Sequence, residues 1–329
     1  MTWAAAFTVW AAPSWEGGEA HRVSRRIVVI STRPPVLPSS SNKSMRVSVI
    51  DGLNLSFLGL VSAFAILSAT PYAVPLAIVY PALLLWLLLT FRWHDRRLAM
   101  FILPVGYLFA VFETLFMVVP YLNPWRADDV LARMDVALLG ANPTEWATRW
   151  AAPWLTEILY CCYLFYFPMP LILLGWMYAR SMITEIEEAY FVYLTCYYVS
   201  YVLYFVFPAE GPRFHLVAAH PAPLPGLALT EPIRGLIDAL EPNKLDAFPS
   251  LHAAILLTTL IFAFRHNRWM CYWLIAPAIG TTVSLVYCRY HYAVDVMVGF
   301  AIAALNYGLA KRVYARIRPR FAAHFGAAA

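Results

Sequence analysis

Eight stretches of this chain are long and apolar, near residues 53–69, 73–91, 98–119, 155–178, 189–207, 250–264, 269–287 and 291–309. A bilayer core of about 30 Å is crossed by about 20 helical residues rising 1.5 Å each, so stretches of this size suit a chain whose solvent is lipid. Composition agrees, with 61% of residues hydrophobic and 13% charged. A soluble domain carries roughly 25% charged residues. So little charge cannot cover the surface of a soluble protein of 329 residues, which excludes a disordered, collagenous or ordinary cytosolic chain. The fold expected is all-α: a polytopic membrane helix bundle with a six-span core and two N-terminal spans. Thr70-Pro71 separates the first two spans, which form either a hairpin or one broken element.

Residues 1–45 read as a flexible cytoplasmic tail, with Arg22, Arg25, Arg26 and Arg33 among prolines and serines and no apolar periodicity. Met45 opens a plausible shorter protein. Residues 46–97 hold the two N-terminal spans, 98–311 the six-span core and 312–329 a basic cytoplasmic tail. Within the core, about 123–150 is expected as an interfacial helix anchored by Trp125, Trp146 and Trp150, and 208–249 as an outer loop. With eight spans and the N-terminus inside, all but seven of the 24 Lys and Arg fall on the cytoplasmic side. The positive-inside rule then gives a multi-pass integral membrane protein with both termini cytoplasmic. The net charge of +5 is scattered over short connections, so topology accounts for it and no nucleic-acid partner is expected. Five cysteines in or beside apolar runs make no disulfide framework.

Polar residues at membrane depth are costly and each needs a reason. Two stretches on the predicted outer face concentrate them. One runs from Phe248 through Pro249, Ser250 and Leu251 to His252; the other runs from Tyr287 to Asp295 and includes Arg289 and His291. His291 and Asp295 are four apart, so on a helix they share a face, and the carboxylate can orient one ring nitrogen while the other faces a substrate. Imidazole titrates near neutrality and suits both nucleophile and acid/base. Arg213 and Arg289 carry fork-shaped guanidinium groups that match phosphate oxygens, and Ser250 either binds phosphate at a helix mouth or caps that helix. Glu157 and Glu113 are headgroup candidates, Glu113 alternatively a bundle-facing structural partner. Tyr287, Tyr290 and Tyr292 read as aromatic-belt residues. No His/Cys cluster has ligand spacing, and Asp246 with Glu210 is too thin a carboxylate set for a metal pair, so neither metal nor cofactor is expected.

The stretch 248–252 followed by 291–299 resembles the second and third signature motifs of the type 2 phosphatidic acid phosphatase superfamily. It is most similar to the lipid phosphotransferase branch, which includes the inositol phosphorylceramide and sphingomyelin synthases. The resemblance implies a catalytic triad of His252, His291 and Asp295 and covers roughly 98–309. Phosphatase members also carry an early Lys with Arg-Pro seven residues on, absent after Lys43, Lys244 or Lys311, and a Ser-Arg pair where this chain has Ser284-Leu285.

That missing clamp points to transfer. The expectation is a phosphotransferase moving a headgroup from a glycerophospholipid donor to a lipid alcohol such as ceramide through a phosphohistidine intermediate. A lipid phosphate phosphatase is the first alternative and a non-enzymatic transporter or scaffold the second.

Overall fold

A computed structural model describes residues 48–90, 96–220, 222–241 and 243–320, with the side chains of 87–90 and 96–103 also outside the description. The N-terminal tail expected over 1–45 and the last nine residues lie outside it. Among the described residues all regular structure is helical. In chain order the helices are α1 (Val49–Leu67), α2 (Ala73–Thr90), α3 (Arg96–Leu115), α4 (Val119–Leu122), α5 (Asp128–Leu139), α6 (Pro143–Thr148) and α7 (Pro153–Leu164). They continue as α8 (Pro168–Ala179), α9 (Ile183–Val206), α10 (Pro212–His215), α11 (Thr230–Leu240), α12 (Leu251–His266), α13 (Arg268–Tyr287) and α14 (Ala293–Ile317).

The helices α1, α9, α13 and α14 are each long and apolar enough to cross a membrane, and α7 with α8, bent by 44° at their break, makes a fifth candidate. Shorter apolar helices cover 73–86, 104–115 and 251–266, so all eight apolar stretches are helical. Thr70 and Pro71 fall between α1 and α2, which pack together as a hairpin. Helix α14 continues through Ile317, so the tail expected from 312 begins as helix.

The central packing sets α12 against α14 and α9, with α13 on α7. Gly299 lets α12 and α14 meet closely, because a Cβ there would collide with the Ser250 carbonyl oxygen. The core between them is aromatic, with Tyr107, Tyr201, Tyr204 and Phe262 almost wholly enclosed.

The segment expected as one interfacial helix over 123–150 is two helices, broken at Gly140, whose φ of +76° suits glycine at a helix end. Nor does α5 merely rest on a surface. Asp128, Leu131 and Asp135, on one helical face, are all buried. Asp128 accepts hydrogen bonds from Glu210 N–H, Gly211 N–H and the Tyr292 hydroxyl. Asp135 accepts from Ala293 N–H and Val294 N–H at 2.9 and 2.8 Å, satisfying the free amides at the start of α14. Removing that carboxylate orphans two buried donors, each worth roughly 1–3 kcal/mol. Asp135→Ala is expected to cost about 2–4 kcal/mol, seen as a lower melting temperature of the purified protein; an unchanged one would contradict this anchoring.

Candidate active site

Helix α13 ends in a Schellman turn, with Tyr290 N–H bonded to Leu285 C=O and Arg289 N–H to Val286 C=O. Arg289 occupies the left-handed position with φ +67°, where glycine is usual, at a cost of roughly 1 kcal/mol. The turn carries its side chain to Thr148 Oγ1 and the Ala222 carbonyl, and it sets Tyr290 and His291 over the mouth of α12.

His291 therefore precedes α14, which starts at Ala293 after an extended Tyr292. The spacing of four from Asp295 presumed a helix through both residues, and its consequence changes accordingly. Asp295 accepts from Tyr292 N–H at 3.0 Å and caps the helix start, with Oδ2 3.7 Å from His291 Nδ1. The ring nitrogen is held instead by the Ala247 carbonyl at 2.8 Å. Asp295 Oδ1 is buried without a partner.

His252, in the first turn of α12, meets this ring with its Nδ1 3.3 Å from His291 Nε2. Its Nε2 lies 3.1 Å from Glu241 Oε1, and the Tyr163 hydroxyl donates to the same carboxylate. The rings of Tyr163 and Tyr166 flank His252 at 4.9 and 4.3 Å between centroids. Burial, reinforced by His252, pushes the His291 imidazole down to about 3.

Two cavities meet here. A polar pocket of about 30 Å³ opens onto His252 and His291 between Arg213, Asn243, Lys244 and Tyr290. A larger apolar cavity of about 170 Å³ lies among α3, α8, α9 and α12, rimmed by Tyr193, Tyr197, Tyr201 and Tyr204. Glu241, Asp246 and His252 line both.

The remaining sequence candidates have other partners. Arg213 lines the polar pocket but donates to Asp238 through its two terminal guanidinium nitrogens at 2.7 and 2.9 Å, and it donates to the Tyr290 hydroxyl. Burial opposes the Arg213 charge, yet the bond to Asp238 holds its pKa above the usual range. Arg289 does not line that pocket. Ser250 is wholly buried and its Oγ accepts from Ala253 N–H, the capping alternative. Pro249 precedes that cap, so it lies outside the first turn.

Glu157 is engaged by the outer loop. Its carboxylate accepts from Leu227 N–H, Leu229 N–H, Thr230 N–H and the Thr230 hydroxyl, pinning the outer loop where α11 begins. Glu113 is exposed on α3, because Val111 and Leu115 take the buried face and a residue two away from each falls on the other side. It is not a bundle-facing partner and lines neither of the two cavities described. Tyr290 and Tyr292 serve the site itself, through Arg213 and Asp128. The residues missed from sequence are Glu241, Asp128, Asp135, Asn243 and Lys244; a polar run at 241–246 just before the α12 motif was the available signal.

The site thus joins two histidines beside an apolar cavity, in a bundle with helices long and apolar enough to cross a membrane. The PAP2 superfamily model matches residues 129–309, more than half of the chain and inclusive of His252, His291 and Asp295. The chain belongs to the PAP2 superfamily. It is 27% identical over 199 residues to the phosphoinositol dihydroceramide synthase of Bacteroides thetaiotaomicron, a match covering 54% of this chain and 64% of that protein's length. No solved structure matches.

Proposed function

We propose that the protein is a lipid phosphotransferase that moves a phospho-headgroup from a glycerophospholipid to a lipid alcohol such as ceramide, through a phosphohistidine at His291. The observation carrying this reading is the hydrogen-bond chain Ala247–His291–His252–Glu241. A carbonyl oxygen only accepts, so His291 Nδ1 bears the proton and its Nε2 carries a lone pair, which attacks phosphorus once substrate displaces the His252 contact. His252 Nδ1 then donates toward that lone pair. Its Nε2 faces a carboxylate, so a further proton resides on the His252–Glu241 contact. This is a nucleophile with an acid beside it.

In the first step the His291 Nε2–P bond forms and the P–O bond to diacylglycerol breaks, with the His252 Nδ1 proton passing to the departing oxygen. In the second, the acceptor hydroxyl yields its proton to His252 as its oxygen attacks phosphorus, and the P–N bond breaks. Asp295 Oδ2, 3.7 Å from Nδ1, is placed to balance the cationic phosphohistidine ring. Two observations support transfer over hydrolysis: the apolar cavity reaches the histidine that would deprotonate a lipid alcohol, and the B. thetaiotaomicron relative is a synthase by name. The charge asymmetry of the loops supports cytoplasmic termini and a site on the opposite face.

Purified protein in nanodiscs, given phosphatidylinositol, phosphatidylcholine, phosphatidylethanolamine or phosphatidylglycerol with ceramide, is expected to release diacylglycerol and a ceramide carrying the donor's phospho-headgroup. Release of inorganic phosphate from phosphatidic acid, with no transfer product from any donor, would overturn the reading.

An imidazole of ordinary pKa near 6.5 loses roughly tenfold of its free base between pH 7.5 and 5.5. With the His291 value pushed below that range, its free base persists across the interval. Headgroup loading onto the enzyme in a single turnover should therefore stay within about twofold between those pH values; a tenfold fall would show an unshifted nucleophile.

A further inference from the structure

Neither arginine expected to clamp the phosphate stands free: Asp238 engages Arg213, and Arg289 turns toward Thr148. Two neighbouring residues of the loop before α12 are differently placed. Asn243 is 1% exposed and lines the polar pocket beside His252 and His291. Its Oδ1 accepts from Leu245 N–H at 3.2 Å, which fixes the amide orientation, and its Nδ2 is buried without any hydrogen-bond partner. An unmet buried donor is costly and calls for a ligand to satisfy it. Lys244 lines the same pocket, its Nζ anchored by the Glu241 carbonyl at 2.7 Å. The nearest carboxylate oxygen, on Asp238 at 3.8 Å, already binds Arg213.

We infer that Asn243 Nδ2 and Lys244 Nζ form the phosphate-binding site, receiving the non-bridging oxygens of the group that His291 attacks. The inference rests on the phosphotransfer reading above and assigns a function to residues outside its three-residue core. Charge in the pocket permits an anion. Arg213 is balanced by Asp238, Glu241 shares a proton with His252, and Glu210 lies 3.6 Å from Arg126. Burial, with Glu241 close by, holds the Asp246 carboxyl well above the usual range. Lys244 adds an ammonium to the pocket lining. A neutral amide and an ammonium stand in for the missing arginine pair, with fewer donors and one positive charge instead of two.

The test uses Asn243→Ala, Asn243→Asp and Lys244→Met in the full-length protein, with orthovanadate as the phosphate mimic. Lys244 is partly exposed, so Lys244→Met keeps the test decisive where an Asn243 variant fails to fold. Loss of one charge-assisted contact corresponds to about tenfold to a hundredfold. Vanadate inhibition and headgroup loading onto His291 should each weaken by that factor in Lys244→Met and Asn243→Ala, and further in Asn243→Asp, which sets a negative charge against the phosphate. The melting temperature of Lys244→Met should match the parent. Variants that load His291 at the parental rate with parental vanadate sensitivity would overturn this inference alone; a parent protein that never loads would overturn the phosphotransfer reading itself.

Discussion

His291→Ala is expected to remove at least about 10³-fold of turnover, because the loss of a nucleophile leaves only binding and electrostatics to lower the barrier. The ring's surroundings make the effect specific. Its Nδ1 is committed to Ala247, so only Nε2 faces the neighbouring histidine. The side chain is 4% exposed, and its removal frees the Ala247 carbonyl and His252 Nδ1 beside the polar pocket. The variant should keep the parental melting temperature closely enough for activity to be compared. Full activity in His291→Ala would end the phosphohistidine account.

His252→Ala is expected to lower turnover by about 10²–10⁴-fold, the usual worth of a positioned acid/base. Its role predicts a distinctive pattern. A poor leaving group such as a diacylglycerol alkoxide needs a proton as it departs, whereas 4-nitrophenolate needs little help. With a 4-nitrophenyl phosphodiester as donor, the loss in the loading step should shrink to about tenfold, while transfer onward to the acceptor alcohol stays slow. An equal loss with both donors would indicate that His252 merely holds the site together. Glu241 belongs to the same unit, since its carboxylate keeps the His252 ring aligned and is itself fixed by Tyr163.

Much of this arrangement follows from local pattern. Runs of apolar residues about 20 long specify helices wherever they occur: 250–264 and 269–287 became α12 and α13 with small shifts at their ends, and 291–309 became α14, which runs on to Ile317. The two polar motifs opening α12 and α14 meet because those helices pack side by side. Other features depend on chain segments far apart. Asp135 caps α14 across 158 positions, and Glu157 pins a loop 70 positions away; no periodicity marks such partners. The orientation of His291 turned on a left-handed residue at Arg289, where arginine gives no signal that a glycine would have given. Spacing alone put His291 and Asp295 on one helical face, and a helix starting two residues after His291 undid that inference.

The central claim is a covalent P–N bond on one nitrogen. Incubating the protein with a donor labelled in its phosphate, without acceptor, and quenching in alkali should leave one equivalent of label on the peptide containing His291, stable to base and released by mild acid. Addition of ceramide before the quench should discharge it. Label that is absent while transfer proceeds, or that maps to a residue other than His291, would contradict the account.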